Sequence, residues 1–287
     1  MATPAEPARP KTAAELTRWL ERDVSTHLQE ETEAVAHGGT ALMLLGIKGS
    51  TKDVDFAFRT QEAFDRFVDA LKSLGFQTTA DFRPIPGEVF RRLENPASTV
   101  DVVDARFPTW NNWRLTKAML SKAVVLRLGN VRLVRPDRDA VFLFKTYPLR
   151  ETDLDDLRTI LAVDPPDEAR VIALFDEQDA IHRAELTSEH VSLESLFLLL
   201  DLRFRFAAST HLLGPKMRSK IPLLVRHAAA KFGELDLKPT VPDLLARLRE
   251  RSQLMDWDEV LGAGAERLRR RLAAGGGKPA RHGVMGR

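Results

Sequence analysis

The stretch that decides the fold is Val35-Ala36-His37-Gly38-Gly39-Thr40-Ala41-Leu42-Met43-Leu44-Leu45-Gly46-Ile47-Lys48-Gly49-Ser50-Thr51-Lys52-Asp53-Val54-Asp55-Phe56-Ala57-Phe58. A small apolar run ends at the paired glycine. Thr40 to Leu45 then supplies one or two helical turns, with Thr40 as the candidate N-cap. A Gly/Ser/Thr turn follows, and Asp53 to Phe58 alternates as a strand. Val54, Phe56 and Phe58 take the core face. Asp53 and Asp55 share the other face, roughly 6–7 Å apart along the chain. Two carboxylates converging in a low-dielectric site repel unless a cation lies between them. Oxygen-only ligation suits Mg²⁺ or Mn²⁺. Backbone N–H groups of a Gly-Gly turn before a helix hold phosphate oxygens. A phosphate cradle beside metal-binding carboxylates is the equipment of phosphoryl or nucleotidyl transfer. Singly, Asp-x-Asp arises by chance in a chain with 41 acidic residues, and Gly-Gly is common in turns. The weight lies in their order on one turn–helix–turn–strand frame.

Outward from this stretch, helices and strands alternate. Thr12 to about Thr32 has Leu16, Trp19, Leu20, Val24 and Leu28 at helical spacing, which predicts one amphipathic helix. Gln61 to Leu74 is a second, burying Phe64, Phe67, Val68 and Leu71 and capped by Gly75. Phe76–Thr79, Glu88–Leu93 and Thr99–Asp104 read as strands, with a two-proline loop over Asp81 to Gly87. Asp101 is the candidate third carboxylate: it lies opposite Val100 and Val102, whereas Asp104 falls on the other strand face. Trp110 and Trp113 either stack a base or plug the core. Arg114 to Ser121 reads as a short helix. Ala123–Leu128, Gly129-Asn130 and Val131–Arg135 read as a hairpin.

A second stretch begins at Pro136. Asp137 to Tyr147 is helical, Pro148 breaks it, and Glu151 to Leu161 restarts. Arg150, Asp153, Asp156 and Leu157 share one helix face. A lysine point charge at Lys145 suits phosphate oxygens, while Arg150 and Asp153 alone would make an ordinary helix ion pair.

Gly38-Gly39, a spacer and Asp53-Val54-Asp55-Phe56 resemble the minimal signature of the DNA polymerase β-like nucleotidyltransferase superfamily. Gly-Gly-Thr-Ala-Leu followed by Ser-Thr-Lys-Asp-Val-Asp is similar to the AbiEii-type toxin nucleotidyltransferases and related prokaryotic proteins. So is the later set Lys145, Arg150, Asp153, Asp156 and Leu157. Two departures stand out: Gly49 and Thr152 occupy places where relatives carry a basic residue. The resemblance implies Asp53, Asp55 and Asp101 as metal ligands. It implies Asp53, Asp55, Asp101, Lys145 and Asp153 in the chemistry. Gly38, Gly39, Thr40, Lys48, Ser50, Thr51, Lys145 and Arg150 would form the nucleotide site. It also implies an NTP substrate with Mg²⁺ or Mn²⁺, an RNA acceptor such as a tRNA 3′ end, and a possible antitoxin protein partner.

The whole chain of 287 residues is long enough for a full core, and 44% hydrophobic with 29% charged residues is ordinary for a globular protein. No apolar run reaches the roughly 18–20 residues that span a bilayer. Met1 to Pro10 lacks a signal-peptide core, and there is no cysteine for disulfides or zinc. These features place the protein in the cytoplasm. A net charge of +2 makes any nucleic-acid surface local. Lys216, Arg218, Lys220, Arg226 and Lys231, with Arg267 to Arg271, are the candidates, or else a solvated face.

The expected architecture is an α/β (α+β) nucleotidyltransferase domain with a mixed sheet over 11–163, then an all-helical domain over 164–273. Residues 1–10 and the basic tail 274–287 are expected to be disordered. The alternatives are a transferase acting on a protein or small hydroxyl acceptor, and a catalytically silent nucleotide-binding or antitoxin module.

Overall fold

A computed structural model describes residues 10–82, 90–104, 113–186 and 193–233. The chain divides into two compact units, Met1–Ile181 and His182–Arg287. The first holds seven strands: β1 (Thr32–Ala36), β2 (Val54–Phe58), β3 (Gln77–Phe82), β4 (Phe90–Asn95), β5 (Ser98–Asp104), β6 (Val124–Leu128) and β7 (Val131–Arg135). They form one mixed sheet in the order β3-β4-β5-β2-β1-β7-β6. β2 pairs β5 in parallel, β1 pairs β7 in parallel, and the remaining neighbours are antiparallel. The expected α/β class with a mixed sheet is met.

One sheet face is the main core. Val54, Phe56 and Phe58 of β2 and Val100 and Val102 of β5 are buried there. Helix α3 (Gln61–Ser73) covers them with Phe64, Phe67, Val68 and Leu71. Phe58 meets Phe67 at 5.0 Å and Phe56 meets Phe67 at 5.2 Å between ring centroids. Each such side chain contributes about 1.5–3 kcal/mol by leaving water. Thr60 starts α3 by accepting from the Ala63 N–H.

The N-terminal segment departs from expectation. The predicted single helix is α1 (Ala13–Trp19), a π turn over Leu20–Val24 and a 3₁₀ turn over Ser25–His27. A Thr12–Glu15 capping box starts it. The predicted apolar stripe is buried as expected, but the chain turns into a strand at Thr32. That strand, β1, lies near the middle of the sheet and was not anticipated. Four of its five residues are buried, so the alternation that marks a half-exposed strand is missing.

Elsewhere the sequence reading holds with shifted ends. The hairpin β6–β7 turns at Gly129-Asn130. Arg114 to Ser121 forms hydrogen-bonded turns, with Ser121 N–H bonding Ala118, and no regular helix. Residues 83–89 and Trp110 lie outside the described residues. Trp113 is a core residue, 1% exposed and edge-on to Tyr147 and Phe175. Three helices complete the first unit: α4 (Arg138–Lys145), α5 (Glu151–Val163) and α6 (Glu168–Leu186), the last running on into the second. The predicted boundary at 163/164 is not where the units divide. Gln178 of α6 donates to the Arg114 carbonyl and accepts from its N–H, and Thr116 bonds Glu177. These bonds tie the first part of α6 to the sheet unit.

The described part of the second unit is helical: α7 (Leu193–Leu212), α8 (Pro215–Arg218) and α9 (Pro222–Gly233). Residues 234–273 of the expected all-helical domain, and the 274–287 tail, lie outside the described residues.

Candidate active site

The second sheet face carries the polar row. β2 and β5 run in parallel with Asp55 beside Asp101. β4 adds Arg92 opposite Asp101. Across a cleft stand Lys145 at the end of α4 and Arg150 and Asp153 at the start of α5. Six expected residues line this cleft: Gly38, Asp55, Asp101, Lys145, Arg150 and Asp153. Gly39, Thr40, Lys48, Ser50, Thr51 and Asp53 stand outside its lining.

Helix α2 (Gly38–Leu44) is stitched onto β2. The Gly39 N–H donates to Asp55 Oδ2 at 3.2 Å, the Asp55 N–H to Thr40 Oγ1 at 2.8 Å, and the His37 N–H to the Asp55 carbonyl at 3.0 Å. A Cβ on Gly38 would stand 2.7 Å from Asp55 Oδ2, and one on Gly39 2.5 Å from Thr51 Oγ1. Gly38 also has φ +51°, in the left-handed region. Both glycines are therefore required for the helix start to reach the carboxylate. Thr40 is not the cap: α2 begins at Gly38 with His37 at the N-cap position. Its hydroxyl is buried and taken by the Asp55 N–H, because the helix starts two residues earlier than its apolar run. Thr51 donates its hydroxyl to the Asp53 carbonyl at 2.9 Å, and Ser50 is exposed in the turn.

The acidic row is electrically strained. Burial, then the neighbouring Asp101 charge, push Asp55 up to about 7, against the pull of Lys145. Asp53, just ahead of β2, adds to the push. Asp101 is clasped by Arg92, with Nε on Oδ1 at 2.8 Å and Nη2 on Oδ2 at 2.7 Å. Among the described residues no group of three or more His, Asp or Glu side chains is arranged to hold a metal ion. Mg²⁺, however, usually takes only one or two carboxylates and completes its shell with phosphate and water. Asp53 and Asp55 fit that role, since a cation there would offset both the burial and the neighbouring negative charge that raise Asp55. Asp104 is buried on the core face and takes no part.

The facing side is the reverse case. Lys145 is buried between Asp153 (2.8 Å) and Asp156 (2.9 Å). Arg150 bonds Asp153 through Nε at 2.6 Å, and Lys48 reaches Asp156 at 2.6 Å. Burial works to lower the Lys145 ammonium, but the two aspartates outweigh it and hold it above the usual lysine value. Burial works to raise Asp153, and Arg150 and Lys145 hold it below the usual carboxylate range. An ammonium has three N–H donors, so two are used here and the third is available to a ligand.

Two residues carried no sequence signal as site residues, one lining the cleft and one outside the lining that holds Asp101. His37 sits edge-on to Phe144 at 5.0 Å, and burial, then Lys145, push it down to about 4, so it is neutral at pH 7. Arg92 is the other. In the second unit, Lys216, Lys220 and Arg226 are exposed, while Arg218 is half-buried with its guanidinium 3.0 Å from His211 Nδ1. Arg267 to Arg271 lie outside the described residues. Compared with known proteins, the chain matches no family model, no curated protein and no solved structure.

Proposed function

We propose that this protein is a metal-dependent nucleotidyltransferase that moves a nucleoside monophosphate from an NTP to an acceptor hydroxyl. The observation that carries the reading is the cleft itself. A glycine helix start pressed on Asp55, with Asp101 in register beside it, faces Lys145 and Arg150. Acids on one wall and bases on the other suit a metal–triphosphate complex. Asp53 and Asp55 would hold Mg²⁺ or Mn²⁺, which when bound would neutralise charge at the phosphates. Lys145, with its spare N–H, and the exposed Arg150 hold phosphate oxygens. The acceptor oxygen bonds to the α-phosphorus as the bond to the bridging oxygen breaks. Pyrophosphate leaves, and the acceptor proton passes to a carboxylate, for which Asp101 is the candidate.

The acceptor in this reading is RNA, such as a tRNA 3′ end, and the protein is the toxin of a toxin–antitoxin pair. Both rest on the AbiEii-type resemblance of the two motifs. The exposed Lys216, Lys220 and Arg226 are in keeping with a phosphate-binding face. The test is incubation with each labelled NTP, Mg²⁺ and total RNA. Label entering RNA supports the proposal. Label entering only protein or a small hydroxyl compound keeps the transferase and replaces the acceptor, and no transfer with retained NTP binding makes the chain a binding module.

A further inference from the structure

The acidic row is not uniform. Arg92 and Asp101 are cross-strand partners in the antiparallel β4–β5 pair. Their two bonds, 2.8 and 2.7 Å, use both carboxylate oxygens in one planar fork. Asp55, one strand over, receives the Gly39 N–H on Oδ2 and has no ion pair among the described residues. A divalent cation on Asp101 would lie next to a guanidinium and be repelled by it. A hydroxyl donor would not. Each Asp101 oxygen keeps a lone pair beyond the fork, and Asp101 lines the cleft.

We propose that Arg92 is a positioning residue that withdraws Asp101 from metal ligation and reserves it to take the proton of the acceptor hydroxyl. Asp53 and Asp55 are then the protein's metal ligands. The inference rests on the nucleotidyltransferase reading and divides its roles. In the step it assigns, the acceptor O–H proton goes to Asp101. The oxygen bonds to the α-phosphorus, and the bond to the departing pyrophosphate breaks.

The experiment compares full-length Asp55→Ala, Asp101→Ala and Arg92→Ala by Mn²⁺ electron paramagnetic resonance and by transfer at saturating NTP. Asp55→Ala should weaken Mn²⁺ binding at least about 10-fold, while Asp101→Ala and Arg92→Ala stay within about 3-fold of wild type. Transfer should fall about 100-fold in Asp101→Ala and about 10- to 100-fold in Arg92→Ala, as expected for a misplaced catalytic group. KM for the NTP should not move. Added guanidinium ion should restore Arg92→Ala and leave Asp101→Ala inactive. Loss of Mn²⁺ from Asp101→Ala to the extent seen in Asp55→Ala overturns the inference. So does wild-type transfer by Arg92→Ala, or failure of guanidinium to rescue it. Should Arg92→Ala not fold, Arg92→Lys decides, since it keeps the charge but not the fork: undiminished transfer overturns the proposal. Absence of transfer in wild type would instead sink the nucleotidyltransferase reading, a result the Mn²⁺ measurements keep separate.

Discussion

The two walls of the cleft solve opposite electrostatic problems. On the strand wall burial, then the neighbouring Asp101 and Asp53 charges, push the Asp55 carboxyl up to about 7. On the helix wall Lys145, Asp153 and Arg150, with Asp156 and the turn residue Lys48 outside the lining, alternate in sign, each within ion-pair distance of a neighbour. A buried lysine held between two buried aspartates is a support whose rupture is costly. A buried carboxylate short of positive charge marks a candidate functional site, which the proposed reading fills with a cation. The difference predicts that mutations on the strand wall remove activity and spare the fold, while those on the helix wall harm both.

The largest effect tests the strand wall. The Asp53→Ala, Asp55→Ala double variant should lose several kcal/mol of transition-state stabilisation, at least about a thousandfold in rate. Its melting temperature without metal should equal or exceed that of wild type above pH 7, because a disfavoured charge has gone. Full activity in this variant would end the nucleotidyltransferase reading.

On the helix wall, Asp153→Ala strips Arg150 of its partner and leaves buried Lys145 with Asp156 alone. Breaking a buried pair costs about 3–5 kcal/mol, and the surviving Asp156 contact sets the expectation near about 3, read by urea denaturation. Lys145→Ala should weaken NTP binding, whereas Arg158→Ala, at the exposed pair with Asp155, should not. A stable Asp153→Ala would mean that the two walls are not different in kind.

Two cleft residues, Asp55 and His37, also set opposite pH slopes. Asp55 is raised from 3.8 to about 7, so between these values the folded state holds more protons than the unfolded. Its contribution to stability therefore falls as pH rises from about 4 to about 7. His37 is lowered from 6.5 to about 4, so there the unfolded state holds more protons. Its contribution rises with pH between about 4 and 6.5. Each slope is at most about 1.4 kcal/mol per pH unit. In metal-free wild type they oppose each other up to pH 6.5. In Asp55→Asn only the His37 slope remains, and stability should rise more steeply with pH across that window. Parallel curves for the two proteins would show that Asp55 is not strained.

The strand wall was largely legible in the sequence because its chemistry is local: Asp53, Asp55, Gly38 and Gly39 fall within one short stretch. Lys145 and Asp153 were legible from a second motif and from helical spacing, but their link to Lys48 across the fold was not. Arg92 was within reach. The Asn95–Ser98 pair closes a two-residue turn, held by Asn95 Oδ1 accepting from the Ala97 and Ser98 N–H groups. Counting outward gives Glu94 with Thr99, Leu93 with Val100 and Arg92 with Asp101. A predicted β4 that ended at Leu93 stopped short of that turn. β1 was hidden for a different reason, since burial on both faces leaves no period to read. His37 was hidden because only the fold brings Phe144 and Lys145 against it.

The smallest expected effect sharpens where the paired network ends. Lys48 stands 2.6 Å from Asp156, but its side chain is 41% exposed, while that of Asp156 is 6% exposed. A half-exposed lysine gains little from such a bond, because water competes for the ammonium and the long stem loses freedom. Lys48→Ala leaves Asp156 paired with Lys145, so no buried charge is abandoned. The loss of stability should therefore stay below about 1 kcal/mol, well under that of Asp153→Ala. Lys48 is also the bond from the turn ahead of Asp53 to α5. If that turn is held for function, Lys48→Ala should raise KM for the NTP, and Lys48→Arg, which can still reach Asp156, should restore it. A destabilisation equal to that of Asp153→Ala would place Lys48 inside the buried network. No change in either quantity would mark it as a surface pair.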